Sequence, residues 1–165
     1  MNHSDQALTP NGFLKTLRIL HLALVTGVSV FLIFVYTQNT EWILNLSDTN
    51  DIFFFIVPAF AIFGVYFGTF LYKKQLTSLV NKDNLREKLV GFQTASIIKY
   101  ATIEAPALLG ILASFLNGNV FYILISSVLL VYLFFQKPTK DKIEMDLNLK
   151  GKLKSQFGKG DEVIE

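Results

Sequence analysis

The sequence predicts an all-α integral membrane bundle of four transmembrane helices with both termini in the cytoplasm. Three observations carry this. Apolar residues make up 52% of the 165-residue chain and charged residues 17%, against about a quarter in an ordinary soluble domain. The charge-free runs are long: a helix rising about 1.5 Å per residue needs roughly 20 apolar residues to cross about 30 Å of hydrocarbon. Lys and Arg also fall almost entirely in alternate connections.

Residues 19–40 carry no formal charge and their apolar part ends near Tyr36, which places the first span at 13–36. A signal peptide is the rival reading. The run exceeds the usual 7 to 15 or so apolar residues of such a segment, and no Ala-x-Ala cleavage site follows it. The second span, 52–72, is closed by Lys73-Lys74 and holds Pro58 near its outer end. Residues 105–136 are then uncharged for 32 positions, too many for one span, and Asn117-Gly118-Asn119 divides them with turn formers. Spans at 94–116 and 120–136 follow, the last short and ended by Lys137-Pro138.

The N-terminal flank has Lys15 and Arg18, the connection after the second span has five basic residues, and the chain from Lys137 has seven. The 37–51 loop and the Asn117 hairpin have none, so 14 of the 15 basic residues lie on one side. The positive-inside rule makes that side cytoplasmic and puts Glu41, Asp48 and Asp51 outside. Trp42 falls at headgroup depth. Asn45-Leu46-Ser47 matches a glycosylation acceptor, a three-residue pattern frequent by chance. These features predict a bacterial inner-membrane, multi-pass protein in contact with lipid.

In the inner connection Leu85, Leu89 and Phe92 recur at helical spacing opposite Arg86 and Lys88, predicting that the third helix continues into the cytoplasm as an amphipathic extension, either a solvated elbow at the membrane surface or a site for a partner or lipid. Residues 137–165 form a mixed-charge tail beside the 1–136 membrane domain. Its Ile143, Met145, Leu147 and Leu149 suit a strand or a short helix equally. The residues from Gly158 onward predict a frayed end, and the tail as a whole a solvated segment or a docking segment for a cytoplasmic partner.

Several functions find no support. A net charge of +2 without a basic, aromatic-interleaved run argues against nucleic acid. The absence of cysteine removes disulfides, thiolate metal sites and thiol catalysis. His3 and His21 are the only histidines, too few for a multi-histidine metal centre. No phosphate-binding glycine loop, zinc-protease helix or nucleophile elbow is present. The expectation is a protein without cofactor, metal or enzymatic activity.

Glu104 stands apart. It lies seven residues past Ile97, about 10 Å inside the inner boundary, where a carboxylate costs several kcal/mol unless neutralised, paired or wetted. Tyr100 is one turn earlier on the same side. Pro106 removes the donor for the Thr102 carbonyl, an acceptor that could hold water or a cation. Lys99 has a stem long enough to reach the interface. His21 and Arg18 on the first helix are the candidate partners of Glu104. Gly64 and Gly68 form a small-xxx-small motif for close helix approach, within the chain or between copies.

The string Ile103-Glu104-Ala105-Pro106-Ala107, eighteen positions after Arg86, resembles the proteolipid (c subunit) of rotary ATP synthases over residues 61–116. That family sets a membrane carboxylate in a Glu-Ala-x-Pro context after a polar turn with Arg, and the resemblance implies a proton-carrying role for Glu104. Here Pro106 is one position early, the polar turn is longer, Lys99 is foreign to the pattern, and only Gly64 and Gly68 stand for the family's glycine repeat. The whole chain looks like small four-helix proteins of bacterial inner membranes, a likeness that implies no particular activity. Two functions are therefore expected: an accessory or assembly subunit of an inner-membrane complex, or a small oligomeric proton- or cation-coupled transporter using Glu104.

Overall fold

The computed structural model describes residues 8–46 and 50–164. Ser47 of the glycosylation pattern and Asp48 of the acidic loop lie outside the described residues. Six helices follow in order: α1 Pro10–Gln38, α2 Phe53–Leu79, α3 Leu85–Asn117, α4 Val120–Phe135, α5 Lys140–Asp146 and α6 Gly151–Gly158. Helices α1, α2 and α3 are each long and apolar enough to cross a membrane. Helix α4, of 16 residues, passes that test only together with α5, across an 85° bend.

The ends are set by local chemistry. Pro10 opens α1 behind Thr9, whose side chain accepts from the Gly12 N–H. Asn84 caps α3 in the same way through Glu87 N–H, and Thr139 caps α5 through Lys142 N–H. Gly118 ends α3 at φ 66°, a left-handed backbone that suits a residue without Cβ, and Asn119 caps α4 immediately after it. A two-residue hairpin thus joins the two helices.

Helix α3 is the axis of the molecule, packed against α2, α4 and α1. Half of its most apolar stretch is buried, against 17% for α1 and 22% for α2. The outward faces are apolar: Leu22 and Ile33 on α1, Ile62 and Phe63 on α2, and Val128 and Phe135 on α4 are all largely exposed. A greasy exterior around a packed central helix inverts the usual pattern of a soluble bundle.

Below the apolar zone the structure departs from the expected layout. Helix α2 does not stop at Tyr72 but runs two turns further, burying Leu76. The α3 extension is not a solvated elbow: Leu85, Leu89 and Phe92 are almost wholly buried. The tail supplies the covering layer, with Ile143, Leu147, Leu149 and Phe157 in the same core as Phe13 and Leu17 of α1. Ile143 and Leu147 share one face of a helix, which resolves the strand-or-helix ambiguity.

The final residues are also held. Ile164 N–H donates to the Leu8 carbonyl at 2.8 Å and Asn11 N–H to the Gly160 carbonyl at 2.9 Å, so the C-terminal segment is pinned to the start of α1 rather than frayed. Lys88, buried in this layer, donates at 2.8 Å to the Val80 carbonyl just past the end of α2, where an ammonium offsets the negative end of the helix.

The opposite end is closed by polar side chains. Asp51 accepts from the Asn117 amide at 2.6 Å, from the Tyr122 hydroxyl, and from Phe53 N–H at 3.0 Å, tying the start of α2 to the α3–α4 hairpin. Ile43 exchanges backbone hydrogen bonds with Gly118 and Val120. Trp42 stacks on Tyr36 with ring centroids 5.5 Å apart.

Candidate functional site

The residues singled out around Glu104 fall into three separate places. Residues two positions apart on a helix point about 200° apart. Thr102 accordingly faces α2 while Glu104 lies on the other flank of α3.

On the α2 side, a Cβ added at Gly64 would collide with the Thr102 carbonyl oxygen and come within 3.1 Å of Pro106 Cγ. One added at Gly68 would collide with Thr102 Oγ1 and reach 3.0 Å from its Cβ. The two glycines therefore form the groove that receives Thr102 and Pro106 within one chain. The carbonyl freed by Pro106 is covered by the Gly64 backbone instead of being open to water or a cation. The Thr102 hydroxyl turns back to the Lys99 carbonyl at 2.9 Å.

Tyr100 and His21 do meet, edge to face with centroids 5.0 Å apart. His21 is buried and its Nε2 lies 2.8 Å from the Leu133 carbonyl, so that nitrogen carries the proton. Neither His21 nor Arg18 serves Glu104. Arg18 Nε donates to the Pro138 carbonyl at 3.2 Å, and Tyr100 donates to the Gln136 carbonyl at 3.2 Å. All three bond carbonyls at or just past the end of α4: that of Leu133, which also accepts from Gln136 N–H at 2.9 Å, and those of Gln136 and Pro138, where the chain turns into α5. Glu104 itself is half-buried, and among the described residues it accepts no hydrogen bond and joins no ion pair.

A fourth group was not anticipated from the sequence. Lys99 is buried between helices, and its Nζ donates to Gln136 Oε1 at 2.8 Å while lying 4.8 Å from the centre of the Tyr72 ring. Lys142 of α5 donates to the same oxygen at 3.3 Å. The Tyr72 hydroxyl donates to Asp146 Oδ2 at 2.6 Å, and Ser96 is buried beside the Tyr72 and Tyr100 hydroxyls. Burial lowers the pKa of Lys142, outside the apolar zone, and the Asp146 carboxylate opposes the shift. Helices α2, α3, α4 and α5 thus converge on two ammonium groups and one carboxylate.

The one sequence signal for this cluster is Lys99 itself, a cation inside an apolar helix. Its partners on Gln136 and α5 follow only from the right-angled turn at Pro138. Among the described residues no three histidine or acidic side chains come together. No protein-family model, curated protein or solved structure matches the chain.

Proposed function

We propose that this chain is a multi-pass protein of a bacterial inner membrane, with both termini and the tail layer in the cytoplasm. It works there as a non-enzymatic accessory subunit that docks on a larger assembly through the α3 flank carrying Glu104. Membrane residence is supported by the outward apolar faces of α1, α2 and α4 around a buried α3. Orientation is supported by the 14 basic residues on one side. In that setting α3 runs from Lys99 at the cytoplasmic end to Asn117 at the outer hairpin, about 27 Å of helix, close to the roughly 30 Å of a bilayer core.

The observation that carries the accessory reading is Glu104. It sits about 7.5 Å from Lys99 along the helix axis, on a lipid-facing flank and without a partner in its own chain. A carboxyl so placed is stabilised by a donor or cation from outside the chain. The bundle interior supports docking over conduction through one copy. Beyond the His21–Tyr100 pair it is filled by Val28, Ile103, Ala107 and Ile111, and the hydroxyls of Ser114 and Ser126 are spent on the Asn119 and Ala107 carbonyls. Ion coupling through Glu104 is the second reading, and it calls for several copies around a shared path.

Photo-crosslinking in cells separates these readings. A photoreactive residue at Ala105, exposed beside Glu104, is expected to give a discrete protein adduct that Glu104→Ala reduces about tenfold; one at Phe70, on the far side, is not. Equal adducts at both positions, or none at either, would refute docking through this flank. Self-adducts at Ala105, together with cation flux in proteoliposomes abolished by Glu104→Gln, would establish the second reading instead.

A further inference from the structure

We propose that the groove between α2 and α4 seats an acyl chain of one anionic phospholipid from the cytoplasmic leaflet, with its phosphate held by Lys99 and Lys142. The proposal rests on the membrane reading above but not on the role of Glu104.

The two helices run in the same direction and meet mainly through α3, leaving a groove of about 400 Å³ along the surface. Ala61, Val65, Tyr66, Ile125, Val128 and Leu129 line it, all apolar apart from the Tyr66 hydroxyl. Six residues, about 9 Å of helix, beyond Tyr66, Lys99 lies between Tyr72 of α2 and Gln136 at the end of α4. From Ala61 to Tyr72 is eleven residues, about 16 Å of helix, and one leaflet of a bilayer contributes about half of its roughly 30 Å of hydrocarbon. The lined stretch, Ala61 to Tyr66, covers about 7.5 Å of that distance; groove and cation cluster together span about one leaflet, with the cations where the headgroup would lie.

Charge selects an anionic lipid. Each ammonium has three donors, and among the described residues Lys99 and Lys142 have a single acceptor between them, the Gln136 side-chain oxygen. The one carboxylate of the cluster, Asp146, already accepts from Tyr72, and exposed Lys73 adds a further positive charge at the same end. A phosphate diester presents two acceptor oxygens to donors left over by the protein. Gln136 and Lys142 are half-buried, so the cluster is open on one side. A zwitterionic headgroup brings a compensating cation next to the lysines and is disfavoured.

The test is native mass spectrometry of the full-length protein in mild detergent, titrated with phosphatidylglycerol or phosphatidylcholine. The wild-type chain is expected to retain one phosphatidylglycerol at least tenfold better than phosphatidylcholine. Lys99→Gln with Lys142→Gln should bring that preference to within twofold. Val65→Phe, which fills the groove and leaves the cations intact, should weaken retention of phosphatidylglycerol about tenfold, and it decides the matter if the double variant does not fold. Equal retention of the two lipids, unchanged retention in a folded variant, or displacement of the lipid by equimolar inorganic phosphate would overturn the proposal. Extraction of cell membranes with alkaline carbonate keeps the two claims apart. Release of the protein into the supernatant would sink membrane residence itself, whereas pelleted protein without lipid preference would sink only the groove.

Discussion

Replacing Leu147 by Ala asks whether the tail belongs to the folded body. Leu147, the C-cap residue of α5, is fully buried in the core it shares with Leu17, Leu89 and Phe92. Truncation removes three buried carbons and leaves a cavity, a change that costs about 2–5 kcal/mol in a packed core. Met145, two residues away on the same short helix and 79% exposed, is the internal control, since truncation there should stay within about 0.5 kcal/mol. The assay is amide hydrogen exchange on protein in detergent, read at Ile143, Leu147 and Leu149. Their N–H groups bond the Thr139, Ile143 and Glu144 carbonyls. A loss of 2 kcal/mol or more accelerates exchange through local opening by about 30-fold or more. Leu147→Ala and Met145→Ala giving the same rates would mean that the tail is solvated, and the tail layer described above would be wrong.

Other substitutions probe the remaining contacts. Gly64→Val drives a branched side chain into the Thr102 carbonyl and Pro106, and should destabilise the α2–α3 pair by about 1–3 kcal/mol or more, read as a lower thermal midpoint in detergent. No shift would place the glycine motif elsewhere. Asp51→Ala removes the carboxylate that accepts from the Asn117 amide and the Tyr122 hydroxyl, at a cost of about 1–3 kcal/mol in the same assay, and a neutral result would contradict the network around Asp51. Glu104→Gln breaks no contact within the chain and should leave the midpoint unchanged within about 0.5 kcal/mol. A fall of several degrees would show that the carboxylate has a structural partner in its own chain.

What the sequence reveals here follows hydropathy and breaks down where packing takes over. The long apolar helices are legible because charge, proline and the Asn-Gly-Asn turn mark their ends, and those signals are local. Reading α2 only to Tyr72 followed the loss of hydropathy at Lys73-Lys74. Tyr72, Leu76 and Leu79 nevertheless continue at i, i+4 and i+7, a sign of an amphipathic stalk. The tail carried the same kind of sign in Ile143 with Leu147 and in Leu153 with Phe157, obscured by interleaved lysines and acids. The site was less legible. Lys99 could snorkel outward or point inward, and only the course of the chain beyond Pro138, which brings Gln136, Lys142 and Asp146 against Tyr72, decides between them. The sequence singles out His21 and Tyr100 only as neighbours of Glu104, and the carbonyls they bond lie at the end of α4, a tertiary event with no sequence motif.

Membrane orientation is the claim on which the function, the lipid seat and the meaning of Glu104 all depend, and a chain without cysteine allows it to be measured directly. Single cysteines introduced at exposed Thr40, beyond α1, and at exposed Asn81, between α2 and α3, would be treated in intact cells with a membrane-impermeant maleimide. The account predicts that Thr40→Cys reacts at once and Asn81→Cys only after the membrane is opened. Labelling of Asn81→Cys in intact cells, or of both positions alike, would contradict it.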